Sequence, residues 1–147
     1  MSGSDAGAAA PPPVAENRWT AVPTAASQAR HFLRDQARGW QLPAELTEVA
    51  VLLTSELVTN SLTHGEGTVN LRAYRLAGGG VRVEVDDDGP GVPRVRRPDP
   101  DNEHGRGMAL VDMLAAGWGW TPLPGGGKTV WFELRPDGDG QRPGSAG

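Results

Sequence analysis

Apolar residues recur along this chain in two periods, and the changes between them mark out its elements. From Pro23 onward, Ala25, Ala29, Phe32 and Leu33 return at helical spacing until Gly39 interrupts the run. Leu42-Pro43 restarts a helix in which Leu46, Val49, Ala50, Leu53 and Leu57 form one stripe, and Gly65 closes it. The period then drops to two. Val69, Leu71 and Ala73, extended by Leu76, alternate in one strand; Val81, Val83 and Val85 alternate in the next; Gly78-Gly79-Gly80 predicts a hairpin between them. After a loop from Gly89 to His104, Gly105-Arg106-Gly107 opens a short helix carrying Met108, Leu110, Val111 and Leu114. Trp118–Thr121 and Thr129–Leu134 are predicted as two closing strands turned through Pro122 to Gly127, and Arg18–Val22 as a first strand. Hairpins dominate and strand–helix–strand units do not recur, which predicts an α+β two-layer sandwich rather than a doubly wound sheet.

Composition narrows the classes. The chain has 147 residues, and its ends, 1–16 and 136–147, are rich in Gly, Pro, Ala and Ser. They read as disordered tails around one domain spanning 17–135. With no cysteine there is no disulfide framework and no thiol catalysis. No apolar run approaches the roughly 20 residues of a membrane helix, and Ala8–Pro13 lacks the basic start of a secretory signal, so a cytoplasmic location and no membrane partner are expected. A net charge of −4 argues against direct nucleic-acid binding. Isoleucine is absent, and Lys128 is the sole lysine among 14 basic residues.

The glycine-rich segments invite a phosphate-binding reading. Gly127-Lys128-Thr129 ends like a Walker loop, but that motif needs a glycine at position 122, which is Pro, and a helix afterwards, where Val130-Trp131-Phe132 is strand-like. A dinucleotide fingerprint fails too, because Arg94 and Leu110 stand where the third glycine is required. What remains is spread over four segments. Glu56 and Asn60 share a helix face as an i, i+4 pair, which is equally what a solvated polar face presents. Asp87 ends a hydrophobic strand and is followed by Gly89 and Gly91, which is also the chemistry of an acidic turn. Gly105-Arg106-Gly107-Met108 begins a helix whose amides form a natural phosphate site. Lys128 and Thr129 begin the last strand.

In this order, the four segments resemble the ATP-binding domain of the GHKL superfamily (gyrase, histidine kinases, heat-shock chaperones), with its Bergerat fold. Within it, residues 17–135 are most similar to the small stand-alone anti-sigma-factor serine/threonine kinases. The resemblance implies a mixed, mostly antiparallel sheet with helices on one face. It implies ATP and Mg²⁺ as ligands, with Asn60 as the Mg²⁺ ligand and Glu56 as the catalytic base. Asp87, Gly89 and Gly91 would hold the adenine, and Gly105, Arg106, Gly107 and Met108 the phosphates. Thr129 would lie near the base, with Lys128 an open candidate. It further implies an anti-anti-sigma (STAS-type) protein as substrate, a sigma factor as alternative partner, and a homodimer as one assembly. The 13-residue segment Val92–His104, with Arg94, Arg96 and Arg97, would form a short lid. A nucleotide-gated binding module without useful phosphotransfer, and a detached histidine-kinase-like ATPase domain, remain the alternatives. His31, His64 and His104 share no metal-ligand spacing, His64 reading as a helix C-terminal cap, and the five tryptophans read as core and edge packing. Asp86 and Asp88 read as solvated neighbours of Asp87.

Overall fold

The elements follow the order that the periodicity predicts. The computed structural model describes residues 14–62, 67–89, 93 and 106–136. These comprise β1 (Val14–Thr20), α1 (Thr24–Gly39), α2 (Ala44–Leu62), β2 (Thr68–Arg75), β3 (Val81–Asp87), α3 (Arg106–Leu114), β4 (Gly117–Pro122) and β5 (Lys128–Leu134). The expectations that fall on residues 1–13, 63–66, 90–92, 94–105 and 137–147 lie outside the described residues.

Strand β1 departs from expectation, because it runs from Val14 to Thr20 and so takes residues 14–16 out of the expected tail. Its place is set by backbone pairing with β2, from Val14 opposite Tyr74 to Thr20 opposite Thr68. Only Ala15 and Trp19 pack toward the core, and the intervening Glu16, Asn17 and Arg18 carry no apolar alternation. An edge strand of this kind has a weak hydrophobic signal.

Helix α1 buries a stripe of small residues, Ala25, Ala26, Ala29 and Ala37, together with Leu33. It ends in a Schellman cap. The Leu42 N–H donates to the Ala37 carbonyl and the Gln41 N–H to the Arg38 carbonyl, both at 3.0 Å. Gln41 takes the left-handed conformation (φ 57°), so the residue that turns the chain is Gln41 and not Gly39, the last helical residue. The next helix, α2, starts after Pro43, whose carbonyl accepts the Thr47 N–H at 2.9 Å.

The sheet order is β1-β2-β3-β5-β4, and each of these neighbouring pairs is antiparallel. The mixed character implied by the resemblance survives only in the connection: β3 and β4 point the same way, joined through α3, with β5 inserted between them. The three helices among the described residues pack on one face of the sheet. On that face Val69, Leu71, Val81, Val83, Val85 and Phe132 are buried against Leu33, Leu53, Val58 and Val111.

The other face of the sheet carries charge. Arg72 donates to both carboxylate oxygens of Asp86 at 2.7 and 2.8 Å and to Glu84 at 3.0 Å. Arg82 bridges Glu84 and Glu133 at 2.9 and 2.8 Å and lies over the Trp131 ring, 4.1 Å from its centroid. Gly119 makes room for that ring, since a Cβ there would come within 2.9 Å of it. Partial burial alone would raise the Asp86 pKa, but the hydrogen bonds from Arg72, Thr129 and Asn70 outweigh it and hold the carboxyl below its ordinary value. Glu84 is likewise lowered, burial being outweighed by bonds from Arg82, Arg72 and Tyr74. Asp86 is therefore part of a cross-strand ion-pair network rather than a solvated neighbour.

Candidate functional site

The candidate residues gather at one end of the sheet because of how the chain returns there. Residues 63–66 are all that separate Leu62, at the end of α2, from Gly67, just before β2. The start of β2 lies beside the end of β3: Asn70 pairs with Asp86, and the Thr68 N–H donates to the Asp88 carboxylate at 3.2 Å. At the same end β5 begins, with Lys128 opposite Asp87. The carboxy-terminal half of α2 therefore ends over the point where β3 stops and β5 starts.

One cluster forms where α3 meets α2. Glu56 and Asn60 stand one turn apart on α2, both half-buried. Gly107, in the first turn of α3, lets that helix begin directly against them. A Cβ at Gly107 would lie 3.0 Å from Asn60 Nδ2, and 3.3 Å from both Asn60 Oδ1 and Glu56 Oε1. The first amides of a helix have no partners within it and form an electropositive end. This end starts beside a carboxylate and a neutral amide, with Gly107 and Met108 buried beneath it.

The second cluster is Asp87, Gly89 and Lys128. Alternation in β3 turns Asp87 to the helix-covered face, with 6% exposure, and alternation in β5 turns Lys128 to the same face, with 7%. Asp87 Oδ1 accepts the Gly89 N–H at 2.9 Å and the Lys128 ammonium at 3.0 Å. The ammonium also donates to the Gly89 carbonyl at 3.3 Å. The first of these bonds is the Asx-type contact expected of an acidic turn. The turn and site readings are thus not exclusive: the turn is what fixes the carboxylate. Gly127 (φ 84°) completes the packing, because a Cβ there would stand 2.3 Å from the Asp87 carbonyl oxygen.

Thr129 is not brought to this cluster. It faces the opposite side of the sheet and donates to Asp86 Oδ1 at 2.5 Å. The position beside Asp87 belongs to Lys128. The sequence held the signal: Val130, Phe132 and Leu134 face the core, and counting back by two arrives at 128 and not 129. Arg106 is the first residue of α3. Gly91, Gly105, His64 and His104 lie outside the described residues, as does Val92–His104 except Pro93. An apolar cavity of about 580 Å³ lies at the other end of the domain, lined by Pro43, Leu46, Val49, Leu114 and Leu134, and contains none of the candidate residues.

Chemically, the two clusters offer different groups. A buried carboxylate accepts from an amino group, and a helix start beside an amide oxygen suits phosphates carrying a hard cation. The Asn60 side-chain oxygen would suit Mg²⁺ as one neutral ligand. Among the described residues no three His, Cys, Asp or Glu side chains are grouped to hold a metal by themselves.

Residues 19–133 match the model of a family described as the histidine kinase-like ATPase domain. Over 89 residues the chain is 37% identical to blue-light-activated histidine kinase 2 of Erythrobacter litoralis, an alignment covering 57% of this chain and 25% of that protein. Among solved structures, it is similar to the RsbU and RsbW domains of a Mycobacterium tuberculosis protein, with a TM-score of 0.65 and 23% identity over 85% of this chain and 33% of that one. That likeness establishes the fold. The chain spans a quarter of its curated relative and a third of the solved chain it matches.

Proposed function

Because the chain belongs to the histidine kinase-like ATPase domain family, with the GHKL fold, we propose that it binds ATP with Mg²⁺ at this end of the sheet and transfers the γ-phosphoryl group to a serine or threonine of a partner protein. The substrate in this reading is an anti-anti-sigma (STAS-type) protein, with a sigma factor as the alternative partner held by the same domain and a homodimer as its working assembly. The observation that carries the reading is the convergence of Glu56 and Asn60 on the start of α3 at Gly107.

Asp87 accepts from the exocyclic amine of adenine, and the amides at the start of α3 receive the phosphate oxygens. Asn60 would hold the magnesium ion, which would neutralise charge on the triphosphate. Glu56 orients the incoming hydroxyl and takes its proton. The hydroxyl oxygen bonds to the γ-phosphorus, the bond from that phosphorus to the β-bridging oxygen breaks, and ADP leaves. Phosphate on the partner then changes its charge by nearly two units, enough to switch which complex it joins.

A second reading is favoured by the relative named a histidine kinase: the domain acts on a histidine carried by another chain. Both readings are separated by incubating the protein with γ-labelled ATP, Mg²⁺ and an extract of its host. The proposal expects one small protein carrying label that survives acid. Acid-labile label supports the histidine reading instead, and saturable ATP binding with no labelled protein points to a nucleotide-gated binding module. No helix among the described residues is long and apolar enough to cross a membrane.

A further inference from the structure

Lys128 is the chain's sole lysine, and it points into the core-facing side of the sheet rather than into solvent. Long cationic side chains are almost never fully buried unless paired. Lys128 is paired twice, to Asp87 Oδ1 at 3.0 Å and to the Gly89 carbonyl at 3.3 Å. The second bond is informative. An ammonium that served only to neutralise Asp87 would need no contact with the backbone beyond the turn. By holding the carboxylate with one N–H and the turn with another, Lys128 ties together the two groups that line the end of β3. The Gly89 N–H closes the triangle on the same oxygen, at 2.9 Å.

From this geometry we propose that Lys128 is a positioning residue for base recognition. It loads Asp87 Oδ1, so that Oδ2 is presented to one amino donor of the ligand, and the pocket thereby selects a 6-aminopurine over a purine lacking that amine. The inference rests on the reading that places the base at Asp87, and it gives the open candidate Lys128 a specificity role. A carboxylate bearing two donors on one oxygen is fixed in rotation about its terminal bond, and fixed acceptors discriminate between ligands better than mobile ones. The pair also explains how a carboxylate can be held at 6% exposure before any ligand arrives, since an unpaired buried charge carries a heavy desolvation cost.

The test scans the base edge against the side chain. Dissociation constants are measured for ATP and for purine riboside triphosphate, identical to ATP but without the 6-amino group, on the wild type, Lys128→Met and Lys128→Arg. The wild type is expected to prefer ATP by about tenfold or more, the worth of one hydrogen bond to a charged acceptor. Lys128→Met should reduce that preference to about twofold by weakening ATP alone, and Lys128→Arg should restore part of it. A preference that survives unchanged in Lys128→Met overturns the positioning role. A wild type that binds both nucleotides equally overturns the placement of the base at Asp87, on which the inference rests. If Lys128→Met does not fold, as thermal unfolding would show, the double replacement Asp87→Asn with Lys128→Met removes both buried charges. There a loss of preference equal to that of Asp87→Asn alone supports a role exercised through Asp87, and a larger loss, which would mean that Lys128 acts on the base independently, overturns it.

Discussion

Replacing Glu56 with alanine is expected to lower the rate of phosphoryl transfer by about 10²–10⁴-fold, the usual contribution of a positioned general base, while ATP affinity changes by less than about threefold. The separation follows from where Glu56 sits. Its carboxylate ends beside Gly107 at the start of α3, one turn before Asn60 on α2, whereas the groups assigned to the base lie on β3 and β5. Loss of the carboxylate removes a proton acceptor without disturbing Asp87, Gly89 or Lys128. Glu56→Gln, which keeps the shape, should fall as far as Glu56→Ala in single-turnover transfer and retain the unfolding temperature of the wild type. A structural role would instead move affinity and stability together and leave Glu56→Gln active.

The second large effect is expected at Gly127. Alanine there meets two penalties at once. The backbone is left-handed, at φ 84°, which costs an L-residue about 1–2 kcal/mol. The new Cβ would also stand 2.3 Å from the Asp87 carbonyl oxygen and 3.1 Å from the Asp88 Cα, and these are backbone atoms that cannot rotate away. A loss of about 2–4 kcal/mol of stability is expected in denaturant unfolding. Because the atom displaced belongs to Asp87, ATP affinity should fall with it even in molecules that remain folded. Gly125→Ala is the control: its φ is 86°, but nothing lies within 4 Å of the added carbon. That variant should lose only the conformational term and bind ATP as the wild type does. Equal stability losses at the two glycines would mean that the approach of Gly127 to Asp87 is unimportant.

The parts of the fold that were legible in the sequence are those where burial alone writes the pattern. Val81, Val83 and Val85 in β3, and Val130, Phe132 and Leu134 in β5, alternate because one face of each strand meets the helices. The stripe through Leu46, Ala50, Leu53 and Leu57 was legible because α2 buries one side. The bounds of β1 are not legible because an edge strand is held by main-chain pairing, which Glu16, Asn17 and Arg18 do not advertise. The cap of α1 at Gln41 was invisible for a related reason: a left-handed glutamine is set by the Schellman bonds around it and not by its identity. At the site, the segments carrying Glu56, Asn60, Asp87 and Gly107 could be listed from the sequence, but not the contact that unites Gly107 with the α2 pair. Lys128 and Thr129 are both candidates in the sequence, the threonine through the resemblance, and strand parity alone separates them: Lys128 shares the face of Asp87 and Thr129 the face of Asp86.

In the proposed reading a nucleotide is held where β3 ends, α3 begins and Asp87 faces the core. Calorimetric titration of the whole chain with ATP and Mg²⁺, repeated on Asp87→Asn, tests it most directly. Saturable binding at one site per chain is expected, weakened at least about tenfold by Asp87→Asn, which replaces a charged acceptor with an amide. Binding of equal strength in the two proteins, or no saturable heat in the wild type, would contradict it.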